Sequence, residues 1–516
     1  MAQSGHPGQD GRRSAPTTPS TPRARTGVAG LDAILGGGLP ADRLYLVDGE
    51  PGTGKTTLAL QFLLAGQADG QRGLYVSLSE TAEELRAASL SHGWNTDDLS
   101  VLELSAIEGV VSEEVYTLFH PSEVELQQTV DAVLAAIERE KPARVVFDSL
   151  SEMRLLARDP LRFRRQILTL KQFFVGRGCT VLLLDDRSAP ETDLQLHSIA
   201  HGVVVLEQLP TDYGAERRRL QVKKLRGVRF RGGYHDFRIR TGGVEVYPRI
   251  FASSGSVREI GGPIESGSPE LDSLLGGGIA RGTSALITGA AGTGKTVVSA
   301  MYAAAACARG EKVQMFMFDE RRATFLARAR QLGLDFDGPL TSGQLVIRQV
   351  EPTEMSPGEF SNEVVRAVEE RGVSLVCVDS VNGYMHAMPA ERLLIVQIHE
   401  LLTYLANHGV TTIMTLVQSG IFGSPVDEAA EVSYLADTVV LLRYFEFDGA
   451  VRQAISVVKK RSGDHERTIR ECRVEQGGFR VGEPLGGFAG VLTGVPRYVG
   501  GSAPLMEQEG DVGKRA

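Results

Sequence analysis

The sequence is poor in the residues that mark disulfide-stabilised and membrane-spanning proteins. Only four cysteines occur among its 516 residues, they lie far apart, and no two form a CxxC pair. This spacing argues against a disulfide framework and predicts buried, reduced thiols. No apolar run is long enough to cross a membrane, and the N-terminal residues contain charges and prolines but no signal-peptide core. We therefore expect a cytoplasmic protein without a membrane segment.

An excess of basic residues is also missing. Lysine and arginine number 55 against 64 aspartates and glutamates, which gives a formal net charge of −9. Proteins that hold the phosphate backbone of nucleic acid usually carry the opposite balance, often with aromatic side chains between the basic ones. Nucleic acid is therefore not expected as the main partner. The hydrophobic content of 42% is ordinary for globular domains with large cores.

Two phosphate-binding loops are present. GEPGTGKT at 49–56 and GAAGTGKT at 289–296 both match the P-loop pattern G-x4-G-K-S/T, each between an apolar strand-like segment and a helix-like segment. The glycines let consecutive N–H groups point at one phosphate, and the lysine brings positive charge to the β- and γ-phosphates. ATP is the expected ligand. The predicted nucleotide-binding residues are Gly49, Gly52, Thr53, Gly54, Lys55, Thr56 and Thr57 in the first loop and Gly289, Gly292, Thr293, Gly294, Lys295, Thr296 and Val297 in the second.

The two loops belong to a duplication of a whole domain. Lys55 and Lys295 are 240 residues apart, and the same offset separates the segments LDAILGGG and LDSLLGGG that begin at Leu31 and Leu271. Strands alternate with helices in both copies, which predicts two tandem α/β P-loop NTPase domains with mainly parallel central sheets. The predicted boundaries are a disordered tail at 1–25, a first module at 26–252, a linker at 253–263, a second module at 264–496 and a flexible tail at 497–516.

Acidic residues follow the strand after each P-loop helix. Glu80 comes after the segment GLYVSL, and the pair Asp319 and Glu320 comes after VQMFMF. A carboxylate at such a strand end is placed to orient the water or hydroxyl that attacks a γ-phosphate, so these three residues are predicted to be catalytic. The alternative is a helix-capping role, since acidic residues at a helix start complement its dipole.

A second pair of acids ends the next apolar strand of each copy. Asp148 follows RVVF and Asp379 follows LVCV. Together with the P-loop hydroxyls of Thr56 and Thr296, these carboxylates are predicted to hold Mg²⁺. An N-cap or turn role is the alternative for both aspartates.

Basic pairs occur near the end of each module. Lys224 with Arg226, and Lys459 with Arg461, are spaced i, i+2, so in a strand both members of a pair point to the same face. Each pair is therefore able to bind one phosphate together. The alternative is an edge-strand charge pair that discourages aggregation.

These residues together resemble the KaiC family of RecA-like ATPases, over about residues 26–496. The resemblance rests on the duplicated LGGG entry segments, the paired P loops, the strand-end acids and the closing basic pairs. It implies RecA-like modules, a homohexamer of two stacked rings, and ATP bound at subunit interfaces where the basic pairs act on the neighbouring subunit's nucleotide. It also implies slow ATP hydrolysis and, in clock-type members, autophosphorylation of the second module.

The sequence departs from the clock-type pattern at three places. Those members carry a Glu-Glu pair in the first module, where this chain has Ser79 and Glu80. In the second module the pair is Asp319 and Glu320, which still provides two carboxylates. Their adjacent Ser-Thr phosphorylation sites correspond here to Ser433 and Tyr434, so Ser433 alone matches a phosphoacceptor.

The favoured function is a Mg-ATP-dependent hexameric ATPase that acts as a signalling switch, with serine autokinase activity in the second module. One alternative is a nucleotide-gated scaffold in which ATP occupancy sets the assembly state and turnover is incidental. The other is a DNA motor of the wider RecA group, which the net acidity disfavours. A signalling protein partner is compatible with this function.

Overall fold

The structure is a computed structural model. It describes residues 22–104, 121–157, 159–186, 193–210, 214–250, 261–386, 394–418, 433–491 and 497–498. Most of the predicted linker and most of both predicted tails lie outside these ranges. Contacts divide the chain into two compact units, one within 1–209 and 218–248 and the other within 210–217 and 249–516. No helix in the described ranges is both long enough and apolar enough to span a bilayer.

The first module contains eleven strands and seven helices among its described residues. The strands are β1 (Arg23–Ala24), β2 (Leu39–Pro40), β3 (Leu44–Gly49), β4 (Gly73–Ser77), β5 (Ser100–Glu103), β6 (Arg144–Asp148), β7 (Thr180–Asp186), β8 (Gly202–Leu209), β9 (Arg217–Leu225), β10 (Tyr234–Arg240) and β11 (Gly243–Tyr247). The helices are α1 (Ala29–Leu35), α2 (Lys55–Ala68), α3 (Ala82–Ser91), α4 (Pro121–Glu140), α5 (Leu150–Ala157), α6 (Pro160–Phe174) and α7 (Asp193–Ile199).

The second module repeats this arrangement. Its strands among the described residues are β12 (Ser284–Gly289), β13 (Val313–Met317), β14 (Leu345–Gln349), β15 (Leu375–Asp379), β16 (Thr411–Val417), β17 (Thr438–Phe447), β18 (Ala450–Lys460), β19 (Arg470–Glu475), β20 (Gly478–Pro484), β21 (Phe488–Ala489) and β22 (Arg497–Tyr498). Its helices are α8 (Pro269–Leu274), α9 (Lys295–Ala308), α10 (Arg322–Gln331), α11 (Asp337–Thr341), α12 (Pro357–Arg371), α13 (Val381–His386) and α14 (Leu394–Asn407).

The main sheets of the two modules have nine strands each and the same strand order. The first runs β5-β4-β6-β7-β3-β8-β9-β10-β11, and the second runs β14-β13-β15-β16-β12-β17-β18-β19-β20. The pairs around β3 and β12 are parallel, whereas the strands beyond β9 and β17 pair antiparallel. The predicted fold class, two tandem RecA-like α/β modules with mainly parallel sheets, is confirmed.

Each sheet is covered by helices because its central strands are apolar on both faces. In β3, Tyr45 and Val47 pack in the cluster that contains α2, while Leu44 and Leu46 pack with α4, α5 and α6 on the other face. The second module has the same two layers, with α9 on one face and α12 and α14 on the other. All four cysteines are buried and unbridged, as predicted. This layering leaves the carboxyl ends of the parallel strands, where the P loops begin, at one edge of each sheet.

The predicted tails extend too far into the modules. Arg23 and Ala24 pair with Leu39 and Pro40, although both were assigned to the disordered N-terminal tail. The Arg23 guanidinium donates to the carbonyls of Leu35 and Gly38. Hydrogen bonds therefore help to hold this segment in place, although it contains few apolar residues. At the other end, Arg497–Tyr498 pairs with Phe488–Ala489 and is likewise part of a strand.

Candidate functional site

Both P loops connect the central strand of a sheet to a helix, as the motif requires. In the first loop Gly52 and Gly54 have φ of 80° and 97°, and Gly292 and Gly294 in the second have nearly the same values, 82° and 96°. These left-handed conformations favour glycine. At Gly54 a Cβ atom would also lie 2.5 Å from the Cδ1 atom of Ile239, so a larger residue there would force that side chain to move.

The P-loop lysines fold back over their own loops. Lys55 Nζ donates to the carbonyls of Gly49 at 2.8 Å and Glu50 at 2.9 Å, and Lys295 makes the corresponding bonds in the second module. Burial lowers the pKa of Lys295 to about 8, although the Asp379 carboxylate acts in the opposite direction. These contacts place the ammonium group of each lysine at its loop, where the phosphates of a nucleotide would bind.

The remaining predicted loop residues occupy matching places. Thr53 and Thr293 donate through their hydroxyls to carbonyls three residues earlier, at 2.7 and 2.9 Å, and so close their loops. Thr57 and Val297 are the third residues of α2 and α9. The side chain of Val297 is buried in the apolar core, so a nucleotide contact there would have to use its backbone.

The predicted magnesium ligands are close together in the first module. Thr56 Oγ1 donates to Asp148 Oδ2 at 3.2 Å, and the hydroxyl of Tyr75 donates to the same oxygen. Burial raises the pKa of Asp148, while these two hydrogen bonds lower it. In the second module Asp379 accepts a hydrogen bond from Thr415, a residue of β16. The equivalent aspartates of the two modules therefore accept hydrogen bonds from different hydroxyl groups.

This donor set fits Mg²⁺. A hydroxyl and a carboxylate are hard oxygen ligands, and a carboxylate whose ionised form is disfavoured by burial would gain from a divalent ion. Thr56 with Asp148, and Thr296 with Asp379, are the residues that would hold it. Mg²⁺ in such a position neutralises charge on the phosphate oxygens.

Glu80 is the third residue after β4 and is not the cap of the following helix. The cap of α3 is Thr81, which forms a complete capping box with Glu84. The turn that presents Glu80 is fixed by Ser77, whose hydroxyl accepts from the Glu80 N–H at 3.0 Å and donates to the Glu80 carbonyl. Burial raises the pKa of Glu80, and the carboxylates of Asp148 and Glu84 add to this effect. A half-buried carboxylate of raised pKa beside the P loop has the properties of a general base.

Glu320 has a different environment from Glu80. Arg328 Nη2, two turns along α10, lies 2.7 Å from Glu320 Oε2. Burial raises the pKa of Glu320, and the Arg328 guanidinium opposes this rise. The position that corresponds to Arg328 in the first module is Ala88, 240 residues earlier. Asp319 accepts a hydrogen bond from Ser380, the residue after Asp379.

Removal of Arg328 is expected to change the pH dependence of ATP turnover in the second module. In Arg328→Ala the pKa of Glu320 rises further, and since a general base works only when ionised, the acid limb of the pH profile moves to higher pH. The measurement is ATP turnover against pH in a Glu80→Gln background, which silences the first module. The matched variant, Ala88→Arg in a Glu320→Gln background, should move the acid limb of the first module to lower pH. Unchanged limbs in both variants would contradict the assignment.

The basic pairs lie at the end of each sheet where the parallel strands begin, opposite the P loops. Lys459 Nζ donates to the carbonyl of Ser433 at 3.0 Å, and Arg461 Nη2 donates to that of Tyr434 at 3.1 Å. In the first module Lys224 and Arg226 hold the end of α7 in the same way, at Ala200 and Ser198. Arg226 and Arg461 lie just beyond β9 and β18 rather than within them, yet each pair converges on one segment.

Ser433 lies in the last described residues before β17. The backbone N–H of Ser284, the first residue of β12, bonds to Asp437 at 3.0 Å, which places this segment beside the start of the P-loop strand. The side chain of Ser433 is half-buried, and that of Tyr434 is 55% exposed. The equivalent of Ser433 in the first module is His197, since Lys224 bonds to its carbonyl as Lys459 bonds to that of Ser433.

Four residues around the site did not emerge from the sequence. Tyr75 donates to Asp148, and Thr415 donates to Asp379. Arg328 pairs with Glu320, and Asp186 lies 2.7 Å from the P-loop lysine Lys55. The one usable signal was at Asp186, because a charged residue that ends an apolar strand marks the same sheet edge as the P loop. Tyr75 and Thr415 lie inside strands and reach the aspartates of neighbouring strands, which only the strand order reveals. Arg328 lies on α10 and reaches Glu320 from two turns further along the chain.

Two P loops on the central strands of twin parallel sheets, each surrounded by strand-end carboxylates, define a tandem RecA-like P-loop ATPase. The KaiC ATPase family model matches the chain twice, at residues 24–250 and 264–486. The chain therefore belongs to the KaiC family of ATPases, as the motifs predicted, and family membership implies ATP binding.

The similarity to individual KaiC proteins covers nearly the whole chain. The circadian clock oscillator protein KaiC of Thermostichus vulcanus is 27% identical over 504 residues, which cover 94% of this chain and 95% of that protein. The circadian clock protein KaiC3 of a Synechocystis species is 27% identical over 492 residues, covering 92% and 95%. KaiC of Synechococcus elongatus is 26% identical over 492 residues, covering 92% of both chains.

Proposed function

We propose that this protein is a Mg-ATP-dependent ATPase whose subunits assemble as a hexamer of two stacked rings, and that its second module is also a serine autokinase acting on Ser433. In this proposal each nucleotide lies between two subunits. One subunit supplies the P loop, the magnesium ligands and the general base. Its neighbour supplies the basic pair and, in the second module, the phosphoacceptor.

The observation that carries the proposal is the separation of the basic pairs from their own P loops. Lys460 pairs with Thr438, Thr438 pairs with Ala285, and the P loop begins at Gly289, four residues further along β12. Four steps along a strand span about 13 Å, so the basic pair lies at the end of the sheet where the parallel strands begin, and the P loop lies where they end. Lys459 and Arg461 are therefore remote from the nucleotide of their own module. In this proposal they contact the nucleotide of a second copy of the chain.

The same geometry supports phosphorylation between subunits. Ser433 is held beside Lys459, so the acceptor and the basic pair would approach a neighbour's γ-phosphate together. In the proposed step Glu320 takes the proton of the Ser433 hydroxyl, a bond forms between Oγ and the γ-phosphorus, and the bond from that phosphorus to the bridging oxygen breaks to release ADP. With water in place of serine the products are ADP and inorganic phosphate, and Glu80 would serve that reaction in the first module.

The test is the intact mass of the purified protein after incubation with Mg-ATP, together with phosphopeptide mapping. We expect one phosphate on Ser433, its loss in Ser433→Ala, and a strong reduction in Glu320→Gln because the proton acceptor is removed. Tyr434→Phe is the matched control and should remain phosphorylated. ATP hydrolysis without any phosphate on Ser433 would refute the autokinase and leave an ATPase whose assembly state is the signal.

Mixing two inactive variants separates phosphorylation between subunits from phosphorylation within one. Lys295→Ala lacks the ATP site of the second module but keeps the serine, and Ser433→Ala keeps the ATP site but lacks the serine. Mixed rings should carry phosphate on the Lys295→Ala subunits, whereas neither protein alone should. Phosphate that appears in neither the mixture nor its components, although the wild type is modified, would contradict transfer between subunits.

A further inference from the structure

Asp186 forms an ion pair with the P-loop lysine of the first module. Its Oδ1 atom is 2.7 Å from Lys55 Nζ, and its other oxygen accepts a hydrogen bond from Ser151 Oγ at 2.9 Å. With the carbonyls of Gly49 and Glu50, Asp186 completes three acceptors around the ammonium group, which has three donors. The Lys55 side chain is 8% exposed and that of Asp186 is 30% exposed, so this contact is partly shielded from water.

The second module has an apolar residue at the same place. Asp186 pairs with Gly49 across β3 and β7, and Val417 pairs with Gly289 across β12 and β16. Lys295 keeps its two carbonyl acceptors, and its charge is opposed mainly by burial. The twin sites therefore differ in one charge at the lysine that would bind the β- and γ-phosphates.

We infer that Asp186 sets the nucleotide affinity of the first module by competing with the phosphates of ATP for Lys55. This inference rests on the proposed function, because it takes the P loops to be ATP sites. A triphosphate that reaches Lys55 must displace the Asp186 carboxylate from it, and it then binds beside a like charge in a partly buried site. Asp186 thereby weakens ATP binding at the first module, and Lys55 is released from it only when phosphates replace the carboxylate.

The decisive variant is Asp186→Asn, which removes the charge and keeps the shape. The measurement is calorimetric titration of the full chain with the non-hydrolysable analogue AMP-PNP and Mg²⁺ in a Lys295→Ala background, so that the first module alone reports. We expect Asp186→Asn to bind the analogue about tenfold more tightly. Equal or weaker binding in Asp186→Asn would overturn the inference, since a competing carboxylate cannot help its competitor.

The second module offers the reciprocal experiment. Val417→Asp in a Lys55→Ala background should weaken binding of the analogue about tenfold, whereas Val417→Asn should weaken it much less. The asparagine variant separates the effect of charge from that of a polar side chain or a disturbed strand. Equal losses in the two variants would overturn the inference.

The two proposals fail in different ways. If the Lys295→Ala protein binds the analogue and Asp186→Asn leaves its affinity unchanged, the inference about Asp186 is wrong and the ATP site stands. If neither protein binds the analogue, the first module is not an ATP site and both proposals fall.

Discussion

ATP turnover is expected to fall by about 100- to 1000-fold in a module whose general base is changed to glutamine, Glu80→Gln in the first and Glu320→Gln in the second. Glutamine keeps the size and hydrogen-bonding ability of the side chain but cannot accept the proton of the attacking water. ATP binding should persist, because neither carboxylate belongs to the P loop. The measurement is steady-state release of inorganic phosphate alongside equilibrium binding of AMP-PNP.

Glu84→Gln is the matched control for the first module. Glu84 lies one turn further along, and its carboxylate caps α3 by accepting from the Thr81 N–H at 2.8 Å. Glutamine preserves this capping interaction, so turnover should stay within about twofold of the wild type. Comparable losses in Glu80→Gln and Glu84→Gln would mean that the turn, and not the base, had been disturbed. Loss of binding in Glu80→Gln would assign that residue to the nucleotide pocket instead.

The parts of the site that the sequence predicted are those encoded by contiguous residues. A P loop is one segment in which backbone N–H groups do the binding, so Gly49 to Thr56 identify it without knowledge of the fold. The strand-end acids Glu80 and Asp148 were also predicted, because apolar runs reveal the strands and parallel strands bring their carboxyl ends to the same edge. The duplication strengthened both predictions, since each feature recurs 240 residues later or nearly so.

The parts that the sequence did not predict depend on which strands are neighbours. Tyr75 reaches Asp148 because β4 lies beside β6, and Asp186 reaches Lys55 because β7 lies between β6 and β3. Neither adjacency follows from order along the chain, since β3 and β4 are consecutive but not paired. The modules differ at two equivalent positions, with Asp186 in place of Val417 and Ala88 in place of Arg328. These differences can be interpreted only after the shared topology has aligned the two modules.

The start of the first module was also misjudged, and a buried arginine explains why. Arg144 is 1% exposed, and its Nη1 atom donates to the carbonyls of Arg25 at 2.6 Å and Phe62 at 2.7 Å. It therefore joins β6 and α2 to the segment at Arg25 that composition assigned to a disordered tail. Composition measures the apolar surface that a segment can bury, and it misses order that comes from hydrogen bonds to a distant charged side chain.

Replacement of Arg144 by alanine is expected to lower the free energy of unfolding of the first module by about 3–5 kcal/mol. The change leaves a cavity and removes the donor for the carbonyls of Arg25 and Phe62, for Gln71 Oε1 at 2.7 Å and for the Asp69 carboxylate at 3.4 Å. Gly66 lies against the arginine, since a Cβ there would be 2.5 Å from Arg144 Cδ, so the space cannot close without movement of α2.

The single tryptophan allows this loss to be measured in the full chain. Trp94 packs against the apolar core on the α2 face of the first sheet, so its fluorescence in a urea titration reports the unfolding of that module. Arg139→Ala is the matched control, because Arg139 is 68% exposed and its ion pair with Glu140 should contribute less than about 1 kcal/mol. A midpoint in Arg144→Ala no lower than that of Arg139→Ala would show that the buried guanidinium does not stabilise the module. A large shift in Arg144→Ala alone would establish that a charged side chain, rather than apolar burial, anchors the start of this module.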